Sequence, residues 1–277
     1  LGSFSSLLGQ LDLVKAALSA RKLLEHEHGT ELDPAIVQAG GTAGGMMPKI
    51  LAALSPDRSK IITGATEIPE GMEAWLIKLN TEPRKEAKLI ELEHAYFSMA
   101  RAAGLRVPAT DLIRDRNGLP HFAIQRFDRR TDAPNQRVHT QTYAALAGLN
   151  YQEPTSDYED LLRLTKHLTR NHEEVCEQFR RMLFNVFAYN RDDHAKNFSF
   201  QMDPSGEWSL TPAYDLIFTD NDLAGNWMSV EGKRNKLLRD DFLKLGDLMG
   251  IRSSQVDAMI EQIETALRQW PKFAKGS

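Results

Sequence analysis

Apolar positions recur at helical spacing near the start of the chain. Leu11, Val14, Leu18 and Leu23 share a face and predict a helix over 7–28. The pattern breaks at QAGGTAGGMMPKILAAL (38–54), where four glycines fall in the six positions from Gly40 to Gly45. A helix interior does not hold such a run, so a loop is expected, its backbone close to a partner or at positive φ. EAWLIKLN (73–80) is short and apolar and predicts a strand with Lys78 near its end. RKEAKLIELEHAYFSMARAAG (84–104) returns to helical spacing through Leu89, Leu92, Tyr96, Met99 and Ala103, and Gly104 supplies the stop. LRVPATDLIRDRNGLPHFAIQRFDRR (105–130) predicts two short strands about Asn117-Gly118, a strong hairpin signal.

The character changes after Asp132. From Thr140 to Tyr189 the spacing is mainly helical, through Leu161, Leu164 and Leu168, then Val175, Phe179, Met182, Leu183, Val186 and Phe187. NFSFQMDPSGEWSLTPAYDL (197–216) predicts a hairpin turning at Asp203–Gly206, and helices are expected over 240–250 and 253–269. No internal repeat and no low-complexity tract interrupts this order. A strand-rich part (1–132) followed by a helix-rich part (133–277) predicts an α+β protein of two lobes with a cleft between them. Ligands favour such clefts.

Composition narrows the function. The chain has 277 residues, 42% hydrophobic and 26% charged, which is globular and ample for a core. A formal charge of −4 argues against coating nucleic acid by net positive charge. The single cysteine, Cys176, excludes an internal disulfide framework and a cysteine-cluster zinc site, and within EEVCEQFRRMLFNVF it reads as a buried or half-buried thiol. No apolar run approaches the ~20 residues that span a bilayer. The opening LGSFSSLLGQLDLVKAAL contains Asp12 and Lys15 and lacks a basic n-region, so it is a poor signal peptide. Residue 1 is Leu, which leaves room for a preceding part. A cytoplasmic location without membrane attachment is expected.

Four features carry candidate chemistry. The glycine run, followed by Lys49, exposes backbone N–H groups that can cradle phosphate oxygens, although it matches neither common phosphate-loop spacing. Lys78, flanked by Trp75, Leu76, Ile77 and Leu79, needs a partner for its charge. Glu93 or a phosphate would serve, and a stem on apolar surface with its amine in water is the alternative. In NRDDHAKNFSF (190–200), Asp192, Lys196 and Asn197 supply a carboxylate for a hydroxyl, a cation for developing charge and an oxygen for Mg²⁺, the needs of phosphoryl transfer. Asp193 reads as a neighbouring or surface acid and His194 as a hydrogen-bonded, loop-shaping imidazole. Asp215, in LTPAYDLIF, is costly to bury unless paired or metal-bound, and a turn aspartate is the alternative. A glycine loop, strand lysine, helix acid, hairpin, D-x-x-x-x-N and downstream Asp follow the working order of a protein kinase.

The chain resembles the HipA family of serine/threonine kinases, the toxins of bacterial HipA–HipB toxin–antitoxin systems. GGTAGGMMPK (40–49), WLIKL (75–79), ELEHAYFSMARAAGLRVP (91–108), IQRFDRR (124–130), NRDDHAKNFSF (190–200), LTPAYDL (210–216) and MSVEGKRN (228–235) carry the likeness, over roughly residues 38–250. The resemblance implies a protein-kinase-like fold that uses ATP and Mg²⁺. It implies Asp192 as the catalytic aspartate, Asn197 and Asp215 as metal ligands, and Lys78 at the nucleotide phosphates with Lys196 in the same site. It implies Gln125 and Phe127 as the adenine hinge with Asp128 near the nucleotide. Gly41, Thr42, Ala43, Gly44 and Gly45 would be the phosphate loop, and Thr42 the autophosphorylation candidate for self-inactivation. Thr42 stands where a serine is common and Gln125 where a glutamate is frequent. Members carry a longer portion before the glycine loop than the roughly 40 residues here. A HipB-like DNA-binding antitoxin is the implied partner, with nucleic acid reached only through it. An aminoacyl-tRNA synthetase is the implied substrate. A small-molecule phosphotransferase and a non-catalytic kinase-fold module in a repressor complex are the alternatives.

Overall fold

Strands dominate the first part of the chain. The computed structural model describes residues 13, 15–17, 48–63, 67–81, 87–219 and 225–275. Within them β1 (Lys49–Leu54), β2 (Ile61–Thr63), β3 (Glu73–Lys78), β4 (Thr110–Arg114) and β5 (Pro120–Gln125) form one antiparallel sheet in the order β2-β1-β3-β5-β4. Alternation sorts the side chains. Trp75 and Ile77 point to one face with Ile50, Ala52 and Leu54 from β1 and Ala123 from β5, and together with Leu13 and Ile113 they form a buried cluster. Ala74, Leu76 and Lys78 point to the other face.

β3 and the β4–β5 hairpin fall where expected. The hairpin closes as an Asn-Gly turn should: Gly118 takes φ 77, and Asp115 Oδ1 accepts the Asn117 and Leu119 N–H groups at 2.8 and 2.9 Å. β1 is a departure. The expected glycine loop at 40–45 lies outside the described residues, and the stretch that follows it, for which no strand was expected, is a six-residue strand. KILAAL has no polar alternation to announce it; pairing with β3 supplies what local pattern lacks. Of the helix predicted over 7–28, only Leu13 and residues 15–17 are described, and they are helical.

Helix α1 (Ala87–Ala102) follows β3, and its apolar face is rotated from the predicted one. Leu89 is 42% exposed and Leu92 is half-buried, whereas Ile90, Glu93, Phe97 and Ala100 are buried. The expected stripe holds only from Tyr96 onward. Glu93 lies on this inward face and meets a charge on β3. The helix also divides between two compact units. The first takes the described residues up to His94 together with Pro108–Arg137, and the second takes Ala95–Val107 and those from Val138 onward.

The second unit is mostly helical: α2 (Tyr143–Ala147), α3 (Tyr158–Thr169), α4 (His172–Phe187), α5 (Arg239–Met249), α6 (Ser253–Arg268) and α7 (Trp270–Lys275). Side chains cap α3 and α4 at their starts: Asp157 Oδ1 accepts the Glu159 N–H at 2.8 Å and Asn171 Oδ1 accepts the Glu173 N–H at 2.9 Å. Val175, Phe179, Met182 and Leu183 bury the inner face of α4 as their spacing predicts. β7 (Ser199–Met202) and β8 (Trp208–Leu210) form the expected hairpin. A third strand, β6 (His139–Thr142), joins β7 where a helical stretch was predicted to begin. Among the described residues no helix is long and apolar enough to cross a membrane.

Candidate active site

Helix α4 delivers the polar loop. It ends at Phe187, and Tyr189 takes φ 55, which turns the chain off the helix axis. Asn190 closes that turn twice, donating its N–H to the Asn185 carbonyl and its Nδ2 to Asn185 Oδ1, each at 2.9 Å. Asp192 comes next, with a side chain 57% exposed. Its pKa is raised: partial burial lifts it, nearby His194 lowers it, and the Asp215 charge lifts it again. His194 Nε2 lies 3.9 Å from Asp192 Oδ1.

A 3₁₀ turn, Ala195–Asn197, then swings Asn197 back toward Asp192. Its Nδ2 donates to the Asp192 carbonyl at 2.8 Å. That bond uses the amide nitrogen and leaves Oδ1 as the atom suited to a cation. Asp215 sits at φ 55, in the left-handed region where a non-glycine residue is uncommon. The residue before it is pinned to the loop: Tyr214 Oη donates to the Lys196 carbonyl at 2.6 Å and lies 2.6 Å from Ser199 Oγ. Asp192, Lys196, Asn197 and Asp215 are thus brought together in the second unit. Among the described residues, no group of three His, Cys, Asp or Glu has metal-holding geometry. The Asn197 amide oxygen and the Asp215 carboxylate are instead the kind of donor set that suits Mg²⁺, a hard cation that takes few protein ligands and completes its shell with water and phosphate.

Two features of the loop lie beyond the sequence reading. Lys196 Nζ sits 3.4 Å from the centroid of the Tyr151 ring, a cation–π contact. The His194 ring meets Tyr151 and Trp227 edge-on, at centroid distances of 5.6 and 6.4 Å. Tyr151 lies in a connection without periodicity, and no local signal marks it. Asp193 overturns the expectation of a surface acid: it is 1% exposed, and its carboxylate accepts hydrogen bonds from Tyr158, Asn226 and the backbone of Trp227 and Met228. A buried carboxylate requires such donors. Burial nevertheless wins over the bonds and pushes its pKa up to about 6.

In the first unit, Lys78 Nζ meets Glu93 Oε1 at 2.5 Å, with side chains 11% and 5% exposed. Of the partners open to Lys78, the helix carboxylate is the one observed. Lys49 stands directly opposite Lys78 in the β1–β3 register, and Phe122 stands opposite it on β5. Two lysines facing across a ladder repel, an arrangement an anion relieves. Gln125 ends β5, its N–H donating to the Ala109 carbonyl at 2.9 Å, and Phe127 is half-buried just beyond. Asp128 is held by Arg126 at 2.6 Å and Arg129 at 2.9 Å. These guanidinium groups outweigh its burial and lower its pKa. Gly41, Thr42, Ala43, Gly44 and Gly45 lie outside the described residues.

A family model described as the HipA-like C-terminal domain matches residues 41–270. The protein named "Putative kinase Y4dM" of Sinorhizobium fredii is 30% identical over 159 residues, covering 53% of this chain and 37% of its own length. The protein named "Putative kinase Y4mE" of the same organism is 26% identical over 211 residues, covering 73% of this chain and 46% of its own length. The chain therefore spans less than half the length of these two relatives. Among solved structures, HipA in the complex of Shewanella oneidensis MR-1 HipA, HipB and operator DNA matches with a TM-score of 0.65 at 18% identity, over 94% of this chain and 63% of that one. That likeness establishes the kinase-like α+β fold.

Proposed function

The chain belongs to the HipA-like C-terminal domain family, and from that premise we propose that it is an ATP- and Mg²⁺-dependent serine/threonine protein kinase, the catalytic part of a HipA-type toxin. The observation that carries the reading is the grouping of an exposed Asp192 carboxylate with Asn197 and Asp215. Asp192 faces the acceptor hydroxyl, orients it and takes its proton. Its raised pKa makes it a better base than an ordinary carboxylate. Asn197 and Asp215 hold Mg²⁺, which when bound offsets charge on the phosphates. Lys78, aimed by Glu93, meets the nucleotide phosphates, and Lys196, steadied on Tyr151, lies beside the transferring group. Gln125 and Phe127 meet adenine. Asp128, held by Arg126 and Arg129, lies near the nucleotide.

Residues 41–45 form the phosphate loop, and Thr42 is its autophosphorylation site. A phosphate there adds roughly two negative charges to the loop that would cradle the nucleotide phosphates and works against ATP binding. A HipB-like antitoxin is the partner, in line with the HipB that accompanies the matched HipA structure. The substrate is a cytoplasmic protein of the translation apparatus, an aminoacyl-tRNA synthetase by family resemblance.

Mass spectrometry of the purified protein and of host-lysate proteins after incubation with ATP and Mg²⁺ tests the reading. Phosphate on Thr42 and on a lysate protein is expected from the wild type. Asp192→Asn should lower transfer by about 10²–10⁴-fold with ATP affinity little changed. Full activity in that variant would remove the assignment. Label passing only to small hydroxyl compounds would make the protein a small-molecule phosphotransferase instead.

A further inference from the structure

The scheme above gives no task to Asp193, yet this acid is the most deeply bonded side chain of the loop. Both its oxygens are engaged. Oδ2 accepts from Tyr158 Oη at 2.6 Å and from Asn226 Nδ2 at 3.0 Å. Oδ1 accepts from the Trp227 N–H at 2.6 Å and from the Met228 N–H at 3.4 Å. The chain of bonds continues inward. Tyr158 Oη accepts from Asn185 Nδ2 at 3.0 Å, and Asn185 Oδ1 accepts from Asn190 Nδ2 at 2.9 Å. The Trp227 N–H also reaches the Arg191 carbonyl at 3.1 Å.

Every neighbour of Asp192 is therefore tied down. Asn190 is fixed to α4, Arg191 by its carbonyl to the 225–230 segment, and Asp193 to α3 and that same segment. Among residues 190–193, Asp192 is the one whose side chain is exposed. Adjacent Cα atoms are ~3.8 Å apart, so anchoring residues 191 and 193 leaves the Asp192 backbone little room to move. We propose that Asp193 is a positioning residue for Asp192, acting through a buried latch with Tyr158, Asn185, Asn190 and Asn226. The latch touches neither nucleotide nor acceptor. It keeps the carboxylate where the hydroxyl must arrive, and a misplacement of ~1 Å at such a point can cost ~10²-fold in rate. This inference rests on the kinase reading.

A structural role and a positioning role differ in kinetics. Loss of a structural tie lowers the melting temperature and leaves turnover of the folded protein intact. Loss of positioning lowers kcat and spares KM for ATP. Steady-state ADP release and autophosphorylation should be measured with ATP·Mg²⁺, below each variant's melting transition, for the wild type, Asp193→Asn, Tyr158→Phe and the reference Asp192→Asn. Asp193→Asn replaces an acceptor oxygen with a donor, and is expected to lower kcat about 10²-fold. Tyr158→Phe removes two bonds of the latch, the one donated to Asp193 and the one accepted from Asn185, and should lower kcat about tenfold, KM staying within about threefold for both. Tyr158→Phe decides the matter by itself if Asp193→Asn does not fold. A wild-type kcat in the folded variants overturns the latch and leaves the kinase reading standing. A wild type that neither releases ADP nor phosphorylates itself or a lysate protein overturns the kinase reading and the latch with it.

Discussion

Lys78 and Glu93 are more costly to separate than to remove together. Taking away one partner of a nearly buried pair strands the other charge, at about 3–5 kcal/mol, whereas replacing both with apolar side chains is close to neutral. Glu93→Gln should thus lower the denaturation midpoint, and Lys78→Met/Glu93→Leu should restore it. Neither should transfer phosphate at an appreciable rate, because the cation is misdirected in the first and absent in the second. Urea unfolding and ADP release on the same samples check both halves. The Asp193 carboxyl, with a folded pKa of about 6 against an ordinary 3.8, allows a second test. The folded state holds this proton more tightly than the unfolded chain does. Its contribution to stability is present below about pH 4 and is lost as pH rises through about 6. Asp193→Asn cannot titrate there. Stability of the wild type relative to that variant should fall by on the order of 3 kcal/mol between pH 4 and 6 and stay flat above, read from melting curves at constant ionic strength. The lysine was legible in the sequence, since a charge on an apolar strand demands a partner. Asp193 was not: in Asp-Asp nothing local says which acid is buried, and its donors lie at positions 158, 226, 227 and 228.

At the scale of elements, the 225–236 segment depends on one glycine. Gly225 takes φ 74, and a Cβ there would stand 2.1 Å from the Arg234 carbonyl oxygen. Its neighbour Asn226 donates its N–H to that same carbonyl at 2.8 Å. Gly232 shares the positive φ, at 75, but has open space where a Cβ would go. Gly232→Ala should cost about 1 kcal/mol through backbone conformation alone. Gly225→Ala should cost clearly more, at least ~2 kcal/mol, and should also lower kcat, because residues 226–228 are donors to Asp193. Thermal melts and ADP release of the two variants side by side make the comparison. Elements with local signals were legible: β3 from its apolar run, β4–β5 from Asn-Gly, β7–β8 from the turn at Asp203–Gly206, and α5 and α6 from spacing. β1 and β6 were not, because KILAAL and HTQT owe their strand state to partners distant in sequence. The face of α1 was misread because a buried glutamate counts as polar in any periodicity, although Glu93 shares the inward face with Ile90, Phe97 and Ala100.

For the molecule as a whole, order carried more than any single motif. A glycine run, a strand lysine, a polar loop and a late aspartate are each weak, but their succession pointed to the family whose model spans residues 41–270. Succession says which residues work together and not how tightly a ligand couples them, and thermal stability measures that directly. A ligand that binds only the folded state adds RT ln(1 + [L]/Kd), about 2.7 kcal/mol at a hundredfold excess over Kd. At ~2–4 °C per kcal/mol for a chain of this size, ATP·Mg²⁺ should raise the melting temperature by roughly 5–10 °C. Lys78→Met and Asp215→Asn should lose most of that shift, as should the wild type when EDTA removes Mg²⁺. Asp192→Asn should keep it or increase it, since it removes a charge that repels Asp215 and leaves both proposed metal ligands in place. A shift indifferent to Mg²⁺ and to Asp215 would mean that the nucleotide binds without the metal site, and the roles of Asn197 and Asp215 would fall even if ATP binding stood.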